Sequence, residues 1–221
     1  MPEVNKHIIN KPQPDYEKAE MDLLRDGLKR SHEERFLFLN QLIKTQKALQ
    51  GAKVIVNSGQ GFDHTSIDYN DIEPIQLLKQ LQKNKVKYIL AGDFAMCFYG
   101  HDLGTGVLDI WVDDSPENLL LLKEVLCDHK INGVAKLEGF QFFPDCRSFC
   151  LHNSMRLEIF NNLKGLEGYS FDECLELASI ADIDGVKVPF LHINHLIANK
   201  VAVNRPKDQL DVMYLEKLKK C

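Results

Sequence analysis

Lys87-Tyr-Ile-Leu-Ala-Gly-Asp-Phe-Ala-Met-Cys-Phe-Tyr-Gly100, followed after a loop by Val107-Leu-Asp-Ile-Trp-Val112, is the stretch on which the fold turns. The apolar run from Lys87 reads as a buried strand that stops at Gly92. Phe94 to Tyr99 reads as a short helix ending at Gly100, and Val107 to Val112 as a second strand. A glycine that ends a buried strand and opens a helix presents backbone N–H groups that can hold phosphate, and an acid on the next strand can hold a metal. Asp109 is such an acid. An aspartate between Leu108 and Ile110 is costly unless solvated or paired, which marks it as a site residue rather than a packing residue.

Working outward, Pro74 to Leu81 reads as an amphipathic helix with proline in its first turn. Ser115-Pro-Glu-Asn118 caps a helix running to about Cys127. Strand candidates follow at Val134 to Leu137, Phe140 to Phe143 and Met155 to Phe160. Ser170 caps a helix over Phe171 to Ala178, Gly185 to Pro189 is a short strand, and Ile193 to Val203 is a helix. Arg205-Pro-Lys-Asp208 breaks the chain before a last helix ending at Lys220. Strands alternating with helices predict an α+β fold with a mixed sheet. Upstream, Ser31-His-Glu-Glu34 has capping-box form, and Phe36, Leu39, Leu42, Ile43 and Leu49 recur at mostly helical steps. Residues 1–56 are therefore expected to be an N-terminal helical appendage, 57–73 a linker rich in turn formers, and 74–221 the main domain. The apolar stripe of the appendage is expected to pack on that domain, with a second copy of the chain as the alternative.

Composition narrows the classes. The chain has 221 residues, 44% of them hydrophobic, and its 27 Lys and Arg against 32 Asp and Glu leave a net charge of −5, which argues against a nucleic-acid coat protein. No apolar run approaches the roughly 18 residues of a membrane span, and Met1 to Asp15 is polar, so a soluble, cytoplasmic protein is expected. The six cysteines are thinly spread and expected to be free thiols. Cys146 and Cys150, with Cys127, His129 and His152, lack the tight paired spacing of a structural zinc site.

The spacing Gly92-Asp93, thirteen residues, Val107-Leu-Asp109 resembles the signature of the nucleotidyltransferase superfamily, with the DNA polymerase beta-like fold. It is most similar to the bacterial minimal and abortive-infection-type branch, in which Gly-Gly or Gly-Ser precedes an Asp-x-Asp. Gly92, Ala95, Gly100, Thr105 and Asp109 fall in register with that pattern. Ser115 to Asn118, Glu158 in Arg156-Leu-Glu-Ile159, Val188-Pro189, His195, Lys200 and Arg205 to Asp208 with Asp211 follow it further. The likeness spans about residues 74 to 218.

The resemblance implies transfer of a nucleoside monophosphate from an NTP to a hydroxyl of protein or RNA, with Mg²⁺ as cofactor. Asp109 and Glu158 would be the catalytic and metal-binding acids, with Asp93 as a further candidate ligand. Gly92, Asp93, Thr105, Lys200 and Lys207 would lie against the nucleotide and its phosphates. Three departures fall on the positions that do the work. The first acid of the Asp-x-Asp pair is Val107, which has no lone pair to offer. Leu103 stands where the family usually carries Arg. Asp93 stands where a small residue admits phosphate, and a carboxylate a few ångströms from a polyanion is repulsive by about 4 kcal/mol per charge pair at an intermediate dielectric. The leading expectation is a superfamily fold with weak or lost catalysis. The alternatives are an active enzyme with Asp93, Asp109 and Glu158 around one Mg²⁺, and a non-enzymatic interaction module. The bland readings are that Glu158 pairs with Arg156, and that Asp208 and Asp211 are caps and ion-pair partners.

Overall fold

The computed structural model describes residues 25–40, 74–101, 106–131, 134, 141–142, 145–151 and 155–220. After helical residues 25–29 and 32–40, the elements are α1 (Pro74–Lys83), β1 (Tyr88–Leu90), α2 (Gly92–Phe98), β2 (Val107–Val112), α3 (Pro116–Asp128), β3 (Cys146–Cys150), β4 (Arg156–Phe160), α4 (Phe171–Glu176), β5 (Ser179–Ile183), β6 (Val186–Phe190), α5 (Ile193–Val203) and α6 (Pro206–Leu218). The strands form one six-stranded sheet in the order β3-β4-β2-β1-β6-β5. β2 pairs antiparallel with β1 and parallel with β4, β1 pairs parallel with β6, and the two edges are closed by antiparallel pairs. This is the expected α+β class, a mixed sheet flanked by helices.

Alternation along β2 and β4 decides which face carries chemistry. Leu108, Ile110 and Val112 are fully buried, as are Leu157 and Ile159 on β4. Each such side chain contributes roughly 1.5–3 kcal/mol of burial, and a one-residue slip of either strand would expose the set. That register leaves Asp109 and Glu158 together on the opposite face. The caps are those expected: Ser115 accepts from Asn118 N, and Ser170 with Glu173 forms a capping box.

Two edge strands were not foreseen. β3 takes the segment between Cys146 and Cys150, and β5 forms a hairpin with β6. The turn of that hairpin is Asp184-Gly185, both at positive φ (51° and 78°), the backbone a two-residue hairpin turn demands. Of the strand candidates at 134–137 and 140–143, Val134 is in a turn, residues 141–142 are in no strand, and the remainder lies outside the described residues, as do residues 41–56 and the linker at 57–73. Cys97, Cys127, Cys146, Cys150 and Cys174 are free thiols. Among the described residues no helix is long and apolar enough to cross a membrane.

Within the expected appendage, residues 25–40 share the main core. Phe36 and Leu39 are buried in the cluster that holds Leu90 and Phe94, and the Phe36 and Phe94 rings lie 5.3 Å apart. Arg35 is buried and fastens the contact. Its guanidinium donates to the carbonyls of Gly27 (3.1 Å), Leu28 (3.0 Å) and Phe98, so a cation meets carbonyls that the helix ends leave without partners.

Candidate functional site

The β1–α2 junction is tight. The Ala91 N–H donates to the Asp109 carbonyl at 2.9 Å, which continues the β1–β2 ladder to the helix start. Gly92 then turns the chain at φ +55°, and a Cβ there would meet Asp109 Oδ2 at 1.7 Å. Only glycine combines that backbone with that clearance. The Asp109 carboxylate therefore rests on bare backbone.

Parallel pairing of β2 with β4 sets Asp109 directly beside Glu158, and Val107 beside Arg156. Two carboxylates share one patch of sheet. Burial, then the charge of Glu158, then that of Asp93, push the Asp109 carboxyl up to about 7, against the pull of Lys200 and Arg205. Arg156 answers the crowding from the other side: its Nη2 lies 3.1 Å from Glu158 Oε1. Asp109 and Glu158 border a cleft of about 300 Å³, lined also by Ala91 and Gly92, by Asp145, Asn162 and Lys164 from the strand flanks, and by Asn199, Lys200 and Arg205 from the end of α5 and beyond.

Lys200 and Lys207, both placed against phosphate by the resemblance, are each ion-paired within the chain, Lys200 at the cleft wall. Lys200 is buried, with Nζ 2.6 Å from Asp211 Oδ2 and 3.3 Å from Asp208 Oδ1. Burial would pull its ammonium down, but the Asp211 hydrogen bond and the charges of Asp211, Asp93 and Asp208 outweigh that and hold it above the ordinary lysine range. Lys207 Nζ lies 2.5 Å from Asp93 Oδ1. Burial would push the Asp208 carboxyl up, but hydrogen bonds from Arg205 and the charges of Lys200 and Arg205 hold it down at about 2. Asp208 and Asp211 are thus the caps and ion-pair partners of the bland reading.

Asp93, whose charge the sequence sets against a bound polyanion, has a lysine beside it. Asp93 is buried, does not line the cleft, and is hydrogen-bonded by Lys207, while its charge still reaches Asp109 and Lys200. It does not join Asp109 and Glu158 around a cation either. Among the described residues no group of three or more His, Cys, Asp or Glu side chains is arranged to hold a metal ion. Two divalent ions need a bridging set of carboxylates. Val107 offers no donor, its ladder neighbour is the Arg156 guanidinium, and Asp93 is paired with Lys207, so these residues do not fit the Mg²⁺ arrangement that the resemblance implies. Thr105, and Leu103 with it, lie outside the described residues.

Sequence reasoning did not nominate Asp145, Asn162, Lys164 or Asn199. They sit before β3, after β4 and on the last turns of α5, where no periodic pattern singles them out. Asn199 Nδ2 donates to the Lys164 carbonyl at 3.0 Å, which ties the loop after β4 to α5 and closes that side of the cleft.

No protein-family model and no curated protein matches the chain. Several solved structures are similar to it, among them the following two. One, from Thermotoga maritima and assigned as a nucleotidyltransferase, is 14% identical, covers 66% of this chain and 86% of its own, and superposes with a TM-score of 0.41. The other, the lincosamide antibiotic adenylyltransferase LnuA with lincomycin bound, is 18% identical, covers 67% of this chain and 99% of its own, and has a TM-score of 0.44.

Proposed function

We propose that this chain is a degenerate nucleotidyltransferase-superfamily protein that takes a nucleoside triphosphate into the Asp109–Glu158 cleft and transfers its nucleotidyl group weakly or not at all. The observation that carries the reading is the register of β2 on β4. Asp109 and Glu158 lie side by side where the resemblance expects two of three acids, while the third position is Val107, facing Arg156. The Gly92 clearance supports a site rather than a packing role for Asp109, because a merely structural acid would not need a glycine to make room for it. The cleft at about 300 Å³ is at the small end of ligand sites. The rearranged-acid reading has less support, since Asp93 is paired with Lys207.

The test is calorimetric titration of the full chain with each common NTP, paired with release of pyrophosphate from the same nucleotides. The reading expects binding of at least one NTP, weakened by Lys164→Glu at the cleft wall, with pyrophosphate release near background. Absence of binding by every NTP, or binding indifferent to Lys164→Glu, overturns it.

A further inference from the structure

The cleft has two unlike halves, and β4 runs through both. Glu158 stands beside Asp109 in the ladder. Phe160, two residues on, shares its face of the strand, about 6.5 Å further along. Phe160 is half-buried: it packs on the hydrophobic core and also lines the cleft, as Leu163 and Val203 do. Its ladder neighbour Trp111 is buried, with the Phe171 ring against it at 5.3 Å and its indole N–H donated to the Asn161 carbonyl at 3.1 Å. Among the described residues that line the cleft, Phe160 is the one aromatic. Asp145 stands at the same end. Its carbonyl accepts from Asn161 N at 3.3 Å, one step beyond the pairing of Cys146 with Phe160, and it lines the cleft as well.

We propose that the Phe160 end of the cleft holds the base of the bound nucleotide, with the Phe160 ring as its stacking platform and Asp145 favouring bases that carry an amino group. The inference rests on the nucleotide-binding reading above and names the nucleotides that the site admits. A base is apolar on its faces and polar at its rim, which matches an aromatic and two aliphatic side chains with a hydrogen-bonding group at their border. Stacking on an aromatic ring tolerates any base, because every base has a π-face. Discrimination therefore falls to the rim. A carboxylate accepts hydrogen bonds and donates none, so it rewards the amino groups of adenine, cytosine and guanine. Uracil and hypoxanthine carry no amino group.

The experiment is calorimetric titration of the full chain with ATP, GTP, CTP, UTP and ITP, for the wild type, Phe160→Leu, Phe160→Tyr and Asp145→Asn. The wild type is expected to bind CTP at least about threefold tighter than UTP, and GTP at least about threefold tighter than ITP. Phe160→Leu should weaken every nucleotide by roughly fivefold or more, and Phe160→Tyr, which keeps the ring, by less than about twofold. Asp145→Asn, whose amide donates as well as accepts, should bring both affinity ratios close to one. Binding unchanged by Phe160→Leu overturns the platform. Equal wild-type affinities within each pair, or a preference that survives Asp145→Asn, overturn the selection. Each of these results leaves the nucleotide cleft standing, whereas no binding of any of these nucleotides overturns both readings. Phe160→Leu is titrated at a temperature at which its melting curve shows it folded. Asp145 is exposed, so Asp145→Asn tests the selection without disturbing the core.

Discussion

The Asp109 carboxylate lies in the space that a side chain at Gly92 would need, with Oδ2 1.7 Å from the position of a Cβ there. Gly92→Ala must therefore either move Asp109 or distort the β1–α2 turn, in addition to holding a non-glycine residue at positive φ, which costs about 1–2 kcal/mol by itself. A total loss of about 2–4 kcal/mol in urea unfolding is expected. In the Asp109→Ala background the same substitution should cost clearly less, because the opposing carboxylate is gone. Equal costs in the two backgrounds would show that the two residues do not press on each other.

Lys200 holds two buried carboxylates, Asp211 and Asp208. Lys200→Met keeps the volume and removes the charge, stranding both acids in a dry setting, and a loss of about 3–5 kcal/mol is expected. Lys200→Met with Asp211→Leu should recover part of that. A single variant as stable as the wild type would mean that the buried pair is not the fastener of α5 on α6.

The pH dependence follows from Asp109 and Asp208, with opposite signs. Asp109 is raised to about 7 in the folded chain, against an ordinary value near 3.9. The folded state thus keeps a proton that the unfolded state releases between roughly pH 4 and 7, and stability falls as pH rises through that window. Asp109→Asn removes this slope, so its advantage over the wild type should grow from about pH 4 to about pH 7 and reach at most about 4 kcal/mol. Asp208, held down at about 2, contributes stability that is present above its unfolded value and lost as pH falls from about 4 toward 2. Urea titrations across this range check both. A wild type and Asp109→Asn that run parallel from pH 4 to 7 would contradict the first.

Arg35 ties residues 25–40 to the end of α2 through three carbonyls. Arg35→Met leaves those acceptors buried without a donor, at about 1–3 kcal/mol for each group that water cannot reach. Hydrogen exchange should rise across 25–40 and the end of α2 together. Faster exchange confined to residues 25–40 would mean that the segment rests on the sheet without supporting it.

Most of the architecture was legible because its signals are local. Caps at Ser115 and Ser170, the break at Arg205-Pro206, and the apolar alternation around Asp109 each bear on a few neighbouring residues. The edge strand β3 was obscured by a cysteine pattern that invited a metal reading and by its polar composition. For β5, the one local signal is the Asp184-Gly185 turn, because the strand itself alternates short polar and apolar residues. At the site, the spacing from Gly92 to Asp109 and the place of Glu158 on its strand were readable. Asp93, Lys200 and Lys207 were named, but their partners were not, because an ion pair between residues 114 positions apart such as Lys207 and Asp93 leaves no trace in local pattern. The side-by-side placement of Val107 and Arg156 likewise depends on which residue of β4 faces which residue of β2, and only the sheet register supplies that.

The most direct test of the central claim is pyrophosphate release from Mg-NTP by the wild type and by a chain carrying both Val107→Asp and Arg156→Ser, which places a second acid on β2 and removes the cation beside it. The account expects the wild type to stay near background and the double variant to release pyrophosphate in a Mg²⁺-dependent manner, by at least about tenfold over the wild type, a difference of about 1.4 kcal/mol in the barrier. A wild type that releases pyrophosphate as fast as the double variant would contradict it.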